Sequence, residues 1–338
     1  MLRSRALVPA LVLALPAALV LSSCAASPAG SDGDAASRDA LSVVASTDVW
    51  GDIASSIGGD AVEVTSIIDS PDKDPHEYEA TARDQLALSR ADLVIENGGG
   101  YDPFIDTLLS ASDSDPAVID AVEVSGLAEG GEVDHDHDHA EDDAHGDAAA
   151  SSSEDEHDGH GHIEGFNEHV WYDLHTAEAV AEEIAHQLSD LDPDGAAGYE
   201  ERLDAFLAGL DPTIEQAHAL HEVLEGREVI VTEPVPAWLF AELGLENVSP
   251  DEFTEAVEED SDVPAASLQR VLDLISGGGI SLVAYNEQTA TAQTERVRDA
   301  ADEAGVPVVD FTETLPDGMD YAAWMKDNVQ RVADALGV

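Results

Sequence analysis

Positive charge is what this sequence lacks most. Its 338 residues include 13 Lys and Arg against 73 Asp and Glu, which gives a formal net charge of −60. A surface of that sign repels nucleic acid and anionic lipid headgroups at long range, so nucleic acid is not expected as a partner. The acidity alone identifies no ligand, because an acidic surface also serves solubility in a salty environment.

Cysteine and long apolar runs are also scarce. Cys24 is the single cysteine, so no internal disulfide is possible. The longest apolar run, Ala6 to Leu21, is shorter than the roughly 20 residues that a membrane-spanning helix needs. Because Arg3 and Arg5 precede it, the run has the form of an export signal.

The end of this run points to a membrane anchor. Leu21-Ser-Ser-Cys24 resembles the lipobox of bacterial lipoproteins. That resemblance implies that residues 1–23 are a lipoprotein signal peptide and that a lipidated Cys24 anchors the exported chain to the outer face of the cell membrane. A free thiol or an intermolecular disulfide is the alternative. Residues 24–39, rich in Ser, Gly, Ala and Asp, are predicted to be a flexible tether.

The remaining chain alternates short β-branched apolar runs with helical patterns in two blocks. This alternation predicts an α/β fold of two lobes, each a parallel sheet flanked by helices. The predicted boundaries are 40–174 for the N-terminal lobe, 175–225 for linking helices and 226–338 for the C-terminal lobe. Ligands of such folds bind at the carboxyl ends of strands and in clefts between lobes.

One segment of the first lobe has a different composition. Residues 130–165 consist mainly of Asp, Glu, His, Ala, Ser and Gly, without the apolar side chains that offset ordering entropy, and are predicted to be a disordered insertion. Imidazoles suit zinc, copper, nickel and iron, and a flexible tract would bind them loosely. A solvated or pH-sensitive loop is the alternative, and nickel chaperones and metal-storage proteins also have such tracts. Seven of the thirteen histidines lie here: His135, His137, His139, His145, His157, His160 and His162.

Two further histidines lie in motifs outside the insertion. His76 is in Asp-Pro-His-Glu-Tyr-Glu, and His169 is in Asn-Glu-His-Val-Trp-Tyr-Asp, directly after the insertion. Alone, each could be a surface histidine. Together, with the His-rich tract just before the second, they resemble the His-bearing motifs of the zinc/manganese-type (cluster A-I) solute-binding proteins of ABC transporters. The resemblance extends from Val43 to Met325.

The resemblance implies two α/β lobes joined by one long rigid helix, with a single metal held between them by four ligands. It implies that His76 and His169 are the ligands of the first lobe. Glu233 and Glu313 would be those of the second, with Asp310 as the alternative to Glu313. Zinc members usually have histidine at the third ligand position and manganese members glutamate, so Glu233 leaves the metal open. Glu233 could instead be a carboxylate at a helix N-terminus.

Two imidazoles and two carboxylates suit zinc and also permit manganese or iron(II). We predict zinc, because the affinity order and the His-rich tract both favour it over manganese. The expected partners are the permease and ATPase subunits of an ABC importer, and no enzymatic activity is expected. A surface metal buffer or adhesin is one alternative. A metallohydrolase is the other, although HExxH and nucleophile-elbow motifs are absent from the sequence.

Several other polar residues are expected to lie outside the set of metal ligands. Asn286 and Gln288 are expected to line the cleft without binding the metal. Solvent-facing or capping roles are expected for four histidines in predicted helices: His175, His186, His218 and His221.

Overall fold

The computed structural model describes residues 40–70, 73, 78–129, 163, 165–259 and 261–338. The predicted signal peptide and tether, Cys24, His76 and all seven histidines of the insertion lie outside the described residues, and what was predicted for them stays a prediction. Within the described ranges, no helix is both long and apolar enough to cross a membrane.

The first lobe contains a parallel four-stranded sheet in the order β2-β1-β3-β4. Its two inner strands have buried apolar side chains on both faces, because helices cover the sheet. The strands are β1 (Leu41–Thr47), β2 (Val62–Ile68), β3 (Leu93–Glu96) and β4 (Ala117–Asp120). The helices are α1 (Asp48–Gly58), α2 (Ala82–Leu88), α3 (Phe104–Ser110) and α4 (Ala121–Ser125).

The second lobe repeats this design with a parallel sheet in the order β6-β5-β7-β8. The prediction of two similar lobes, each with a parallel sheet flanked by helices, is therefore confirmed. The strands are β5 (Arg227–Val231), β6 (Leu245–Asn247), β7 (Leu282–Asn286) and β8 (Val308–Phe311). The helices of this half are α7 (Ala237–Glu242), α8 (Asp251–Glu258), α9 (Ala265–Ser276), α10 (Ala292–Ala304) and α11 (Tyr321–Leu336).

Two long helices join the sheets along the chain, α5 (Leu174–Leu191) and α6 (Ala196–Leu224). With 29 residues, α6 is about 43 Å long. Arg202 of α6 donates hydrogen bonds to the carbonyls of Ile57 and Gly58 at the end of α1. These bonds satisfy carbonyls that have no partner within α1 and fix α6 against the first lobe.

A tight turn precedes α3, which begins at Phe104. The carboxylate of Asp102 accepts hydrogen bonds from the backbone N–H groups of Asn97 and Gly98, at 2.6 and 3.0 Å, and so holds a turn. Residues 98–100 are three glycines with positive φ, a conformation that other residues rarely adopt.

Acidic side chains crowd the carboxyl edge of the first sheet. Burial raises the pKa of Glu96 to about 8, and the neighbouring carboxylates of Asp102, Asp106 and Asp120 add to the rise. A carboxyl whose pKa is higher in the folded state stabilises the fold fully below its ordinary pKa of 4.5. That contribution is lost as the pH rises towards 8.

Replacing Glu96 by Gln is therefore expected to raise the free energy of unfolding at pH 8 by on the order of 2 kcal/mol and to change it little at pH 4. Urea unfolding at both pH values measures the difference. The matched control is Glu63→Gln, an exposed carboxylate on β2 of the same sheet. Equal stabilities of Glu96→Gln and the unmodified chain at pH 8 would contradict this assignment.

Candidate metal centre

Three polar side chains of the second lobe meet at the carboxyl edge of its sheet. Glu233 follows β5 by two residues, Asn286 ends β7, and Glu313 follows β8 by two residues. Parallel strands end at the same edge, so these residues come together. The Asn286 Nδ2 atom donates to Glu233 Oε2 at 2.6 Å and to Glu313 Oε1 at 2.8 Å. Both carboxylates are 4% exposed, which gives the lobe a paired, buried set of oxygen ligands.

The segment after β7 holds this set in place. Gln288 Oε1 accepts a hydrogen bond from the backbone N–H of Glu313 at 2.7 Å, and the Gln288 N–H donates to Asn286 Oδ1 at 3.0 Å. Thr232 Oγ1 accepts from the Asn286 N–H at 3.2 Å. Asn286 and Gln288, which were expected to line the cleft, therefore hydrogen-bond to Glu233 and Glu313 in positions that orient the two carboxylates.

His169 faces this set from the first lobe. Its ring is 1% exposed, and its Nδ1 lies 2.7 Å from Asn167 Oδ1. The Asn167 amide nitrogen donates to the carbonyl of Pro234, so the amide oxygen is the atom that faces the ring and accepts its Nδ1 proton. The Nε2 atom lies 3.9 Å from Glu313 Oε2. An Nδ1–H donated to an oxygen, with Nε2 directed into the site, is the usual arrangement of a metal-binding histidine.

Two buried aromatic residues fix the His169 ring. The Tyr101 and Trp171 rings lie 5.6 and 5.1 Å from it, both in edge contact. The Tyr101 hydroxyl also donates to Glu313 Oε2 at 3.0 Å, across the two lobes. These contacts exclude water from one side of the centre and strengthen electrostatic interactions within it.

Glu168 and Glu258 also belong to this region, and sequence reasoning missed both. Glu258 Oε1 lies 3.7 Å from His169 Nδ1, and potential ligand atoms of Glu168, His169 and Glu258 all lie within 4.8 Å of one another. Burial is the main cause that raises the pKa of Glu258 to about 9, and the charges of Glu168, Glu233 and Glu313 contribute to this rise. Glu168 stands within the His169 motif and could have been found there. Glu258 gave no signal, because α8 was not recognised in the sequence.

The predicted site residues thus have different outcomes. Glu233, Glu313 and His169 come together, whereas His76 lies outside the described residues. The alternative ligand Asp310 is partly exposed and faces Arg298, with Oδ2 3.4 Å from the guanidinium. The geometry therefore favours Glu313. Several buried carboxylates around one imidazole are costly to hold together unless a cation compensates their charge.

The fold and this cluster define a two-lobed binding protein with a candidate centre for a cation between its lobes. The chain belongs to the family described as zinc-uptake complex component A, periplasmic, whose model matches residues 43–335. It is thus the metal-binding, substrate-binding component of an ABC-type metal-uptake system.

Individual relatives cover nearly the whole chain. The manganese-binding lipoprotein MntA of Halalkalibacterium halodurans is 24% identical over 327 residues, which are 94% of this chain and 95% of that protein. The iron ABC transporter substrate-binding lipoprotein MtsA of Streptococcus pyogenes serotype M1 is also 24% identical, covering 89% of this chain and 90% of its own length. The periplasmic zinc binding protein TroA from Treponema pallidum shares the fold, with a TM-score of 0.67, 18% identity, and coverage of 88% and 99%. The relatives differ in the metal that they are named for.

Proposed function

We propose that this protein captures zinc outside the cytoplasm and delivers it to the permease of an ABC importer, whose ATPase subunits drive uptake. The observation that supports this most directly is the approach of His169 Nε2 to Glu313 Oε2, 3.9 Å apart and on different lobes. Zinc bonds of about 2.0–2.1 Å place neighbouring ligand atoms about 3.3 Å apart. A small inward movement of the two side chains would therefore form a zinc-binding pair.

The proposed ligand set is His76, His169, Glu233 and Glu313. Asn286 already holds the two carboxylates together, so the second lobe offers its pair in a prepared geometry. His76 enters the set from the family resemblance. Its motif follows β2, whose carboxyl end lies beside that of β1 at the same edge of the first sheet.

Zinc is supported over manganese by the chemistry of two imidazoles and by the general affinity order of divalent metals. Glu233 and the relatives named for manganese and iron support the alternative, manganese or iron(II) in the same role. We further propose that the His-rich insertion collects metal loosely near the centre. A lipidated Cys24 would hold the chain at the outer face of the cell membrane, within reach of the permease.

The number of proposed protein ligands argues against the enzymatic alternative. A hydrolytic zinc site has three protein ligands and keeps one coordination position open for water and substrate. The proposed set of His76, His169, Glu233 and Glu313 would fill all four positions of a tetrahedral site. We therefore propose that the chain binds and releases its metal without chemical conversion of a substrate.

Deleting residues 130–165 from the mature chain is expected to leave one tight zinc site, because the proposed ligands lie outside the deleted segment. Titration calorimetry with zinc and manganese in competition measures the number of sites and the preference. Loss of all tight binding in the deletion variant would show that the insertion alone holds metal, and would favour a passive buffer. A preference for manganese would retain the transport role and overturn the choice of zinc.

A further inference from the structure

A second group of metal-binding side chains lies where three helices meet. His175 is in the first turn of α5, His218 is near the end of α6, and Glu242 is the last residue of α7. One potential ligand atom from each lies within 4.8 Å of the other two. None of these residues takes part in the centre around His169.

The distances suit a small cation. His218 Nε2 lies 2.8 Å from Glu242 Oε1, and His175 Nε2 lies 3.9 Å from the same oxygen. The two imidazole rings are stacked, with centroids 6.1 Å apart. Ligand atoms around zinc are about 3.3 Å apart. The observed separations of 2.8 and 3.9 Å lie on either side of this value, so small side-chain movements would fit the three atoms to the ion.

The surroundings of His175 resemble the support of a metal-binding histidine. Its Nδ1 lies 2.9 Å from Glu178 Oε2, one turn further along α5, and a carboxylate accepts the proton there. A carboxylate that accepts from one ring nitrogen orients the ring and makes the other nitrogen a better ligand. That other nitrogen, Nε2, is the atom directed towards Glu242.

Glu242 is held in position as well. The carbonyl of this residue lies 2.8 Å from His221 Nδ1 in α6, which fixes the end of α7 against that helix. The His218 side chain is 56% exposed, whereas His175 Nε2 and Glu242 Oε1 are buried. The group thus combines two buried ligand atoms with one member at the solvent boundary.

We propose that His175, His218 and Glu242 form a second site, on the surface, for a divalent transition metal of the zinc type. Two imidazoles and one carboxylate favour zinc over calcium or magnesium, and water would complete the coordination. Because the ligands come from three helices, a bound ion would cross-link α7 of the second lobe to the two linking helices. The proposal goes beyond the transport role and does not depend on it.

The test compares thermal unfolding of the mature full-length chain and its variants over a zinc titration. An ion that binds the folded state raises the unfolding temperature, whereas binding to a segment that is equally accessible in the unfolded chain does not. We expect two successive rises in the unfolding temperature as zinc is added. The first comes from zinc binding at the centre around His169, and the second from binding at the second site. His218→Ala and Glu242→Gln should keep the first rise and weaken the second binding event by at least about 10-fold.

The matched control is His186→Ala, which removes an exposed histidine of α5 outside the group. It should keep both rises, and unfolding without zinc checks that every variant folds. Anomalous scattering at the zinc edge, from crystals grown with excess zinc, should show a peak among His175, His218 and Glu242. A filled central centre without that peak, or a second rise that survives His218→Ala, would overturn the proposal.

Discussion

Replacing His169 by alanine is expected to weaken the tight zinc site of the mature chain by more than about 100-fold, since loss of an outer-shell partner alone costs 10–100-fold. His169 contributes the imidazole that faces Glu313 across the lobes, and its ring is oriented by Asn167 on one side and by Tyr101 and Trp171 on the other. Competition against a chelator of known zinc affinity measures the loss.

A second variant separates loss of the ligand from loss of structure. Alanine at a position that is 1% exposed also leaves a cavity, which destabilises the fold by itself. His169→Gln retains more of the volume and should still lose most of the affinity. His186→Ala, on the exposed face of α5, should bind zinc as the unmodified chain does. Tight zinc binding in a folded His169→Gln chain would exclude His169 as a ligand.

The parts of this centre that the sequence predicts are those at the ends of strands. A buried parallel strand is a short apolar run, and its carboxyl end is the first polar residue beyond it. Glu233, Asn286 and Glu313 each stand at or just beyond such a run, so their convergence follows from strand order. The assignment of Glu233 and Glu313 as metal ligands, like that of His169, came from the resemblance to a family; strand order explains only why the two carboxylates meet.

The parts that the sequence does not predict depend on the rotation and packing of helices. Glu258 is in an eight-residue helix, where two turns of apolar periodicity are too few to recognise. His175 and His218 are far apart in the chain. In the apolar periodicity of its own helix, each stands where an ordinary surface residue would be expected. Only the packing of α5 against α6 brings their rings to 6.1 Å. The sequence indicated solvent-facing or capping roles for both, and it gave no sign of their proximity to Glu242.

Some of the chain's many carboxylates have a specific role in the cluster around His169. Burial, together with the nearby charges of Glu168, Glu233 and Glu313, raises the pKa of Glu258 to about 9. A bound divalent cation would reverse this effect by stabilising the ionised carboxylates, so metal binding and release of protons are coupled.

Glu233→His is expected to raise the ratio of zinc to manganese affinity by at least about 10-fold, because imidazole favours zinc whereas manganese prefers oxygen ligands. The change exchanges one of the two carboxylates of the second lobe for a nitrogen ligand and removes the oxygen that now accepts a hydrogen bond from Asn286, because the second ring nitrogen of a metal-bound histidine carries a proton. Competition titrations with the two metals on the same protein measure the ratio directly.

The control for this change is Glu233→Gln, which removes the charge and retains an oxygen ligand. It should weaken both metals and change their ratio less than histidine does. An unchanged ratio in Glu233→His would mean that Glu233 does not contact the metal, and that its contact with Asn286 is structural. A third outcome is that the unmodified chain prefers manganese and the histidine variant prefers zinc. Glu233 would then be the residue that selects the metal, and the natural centre would be a manganese site that a single substitution converts to zinc.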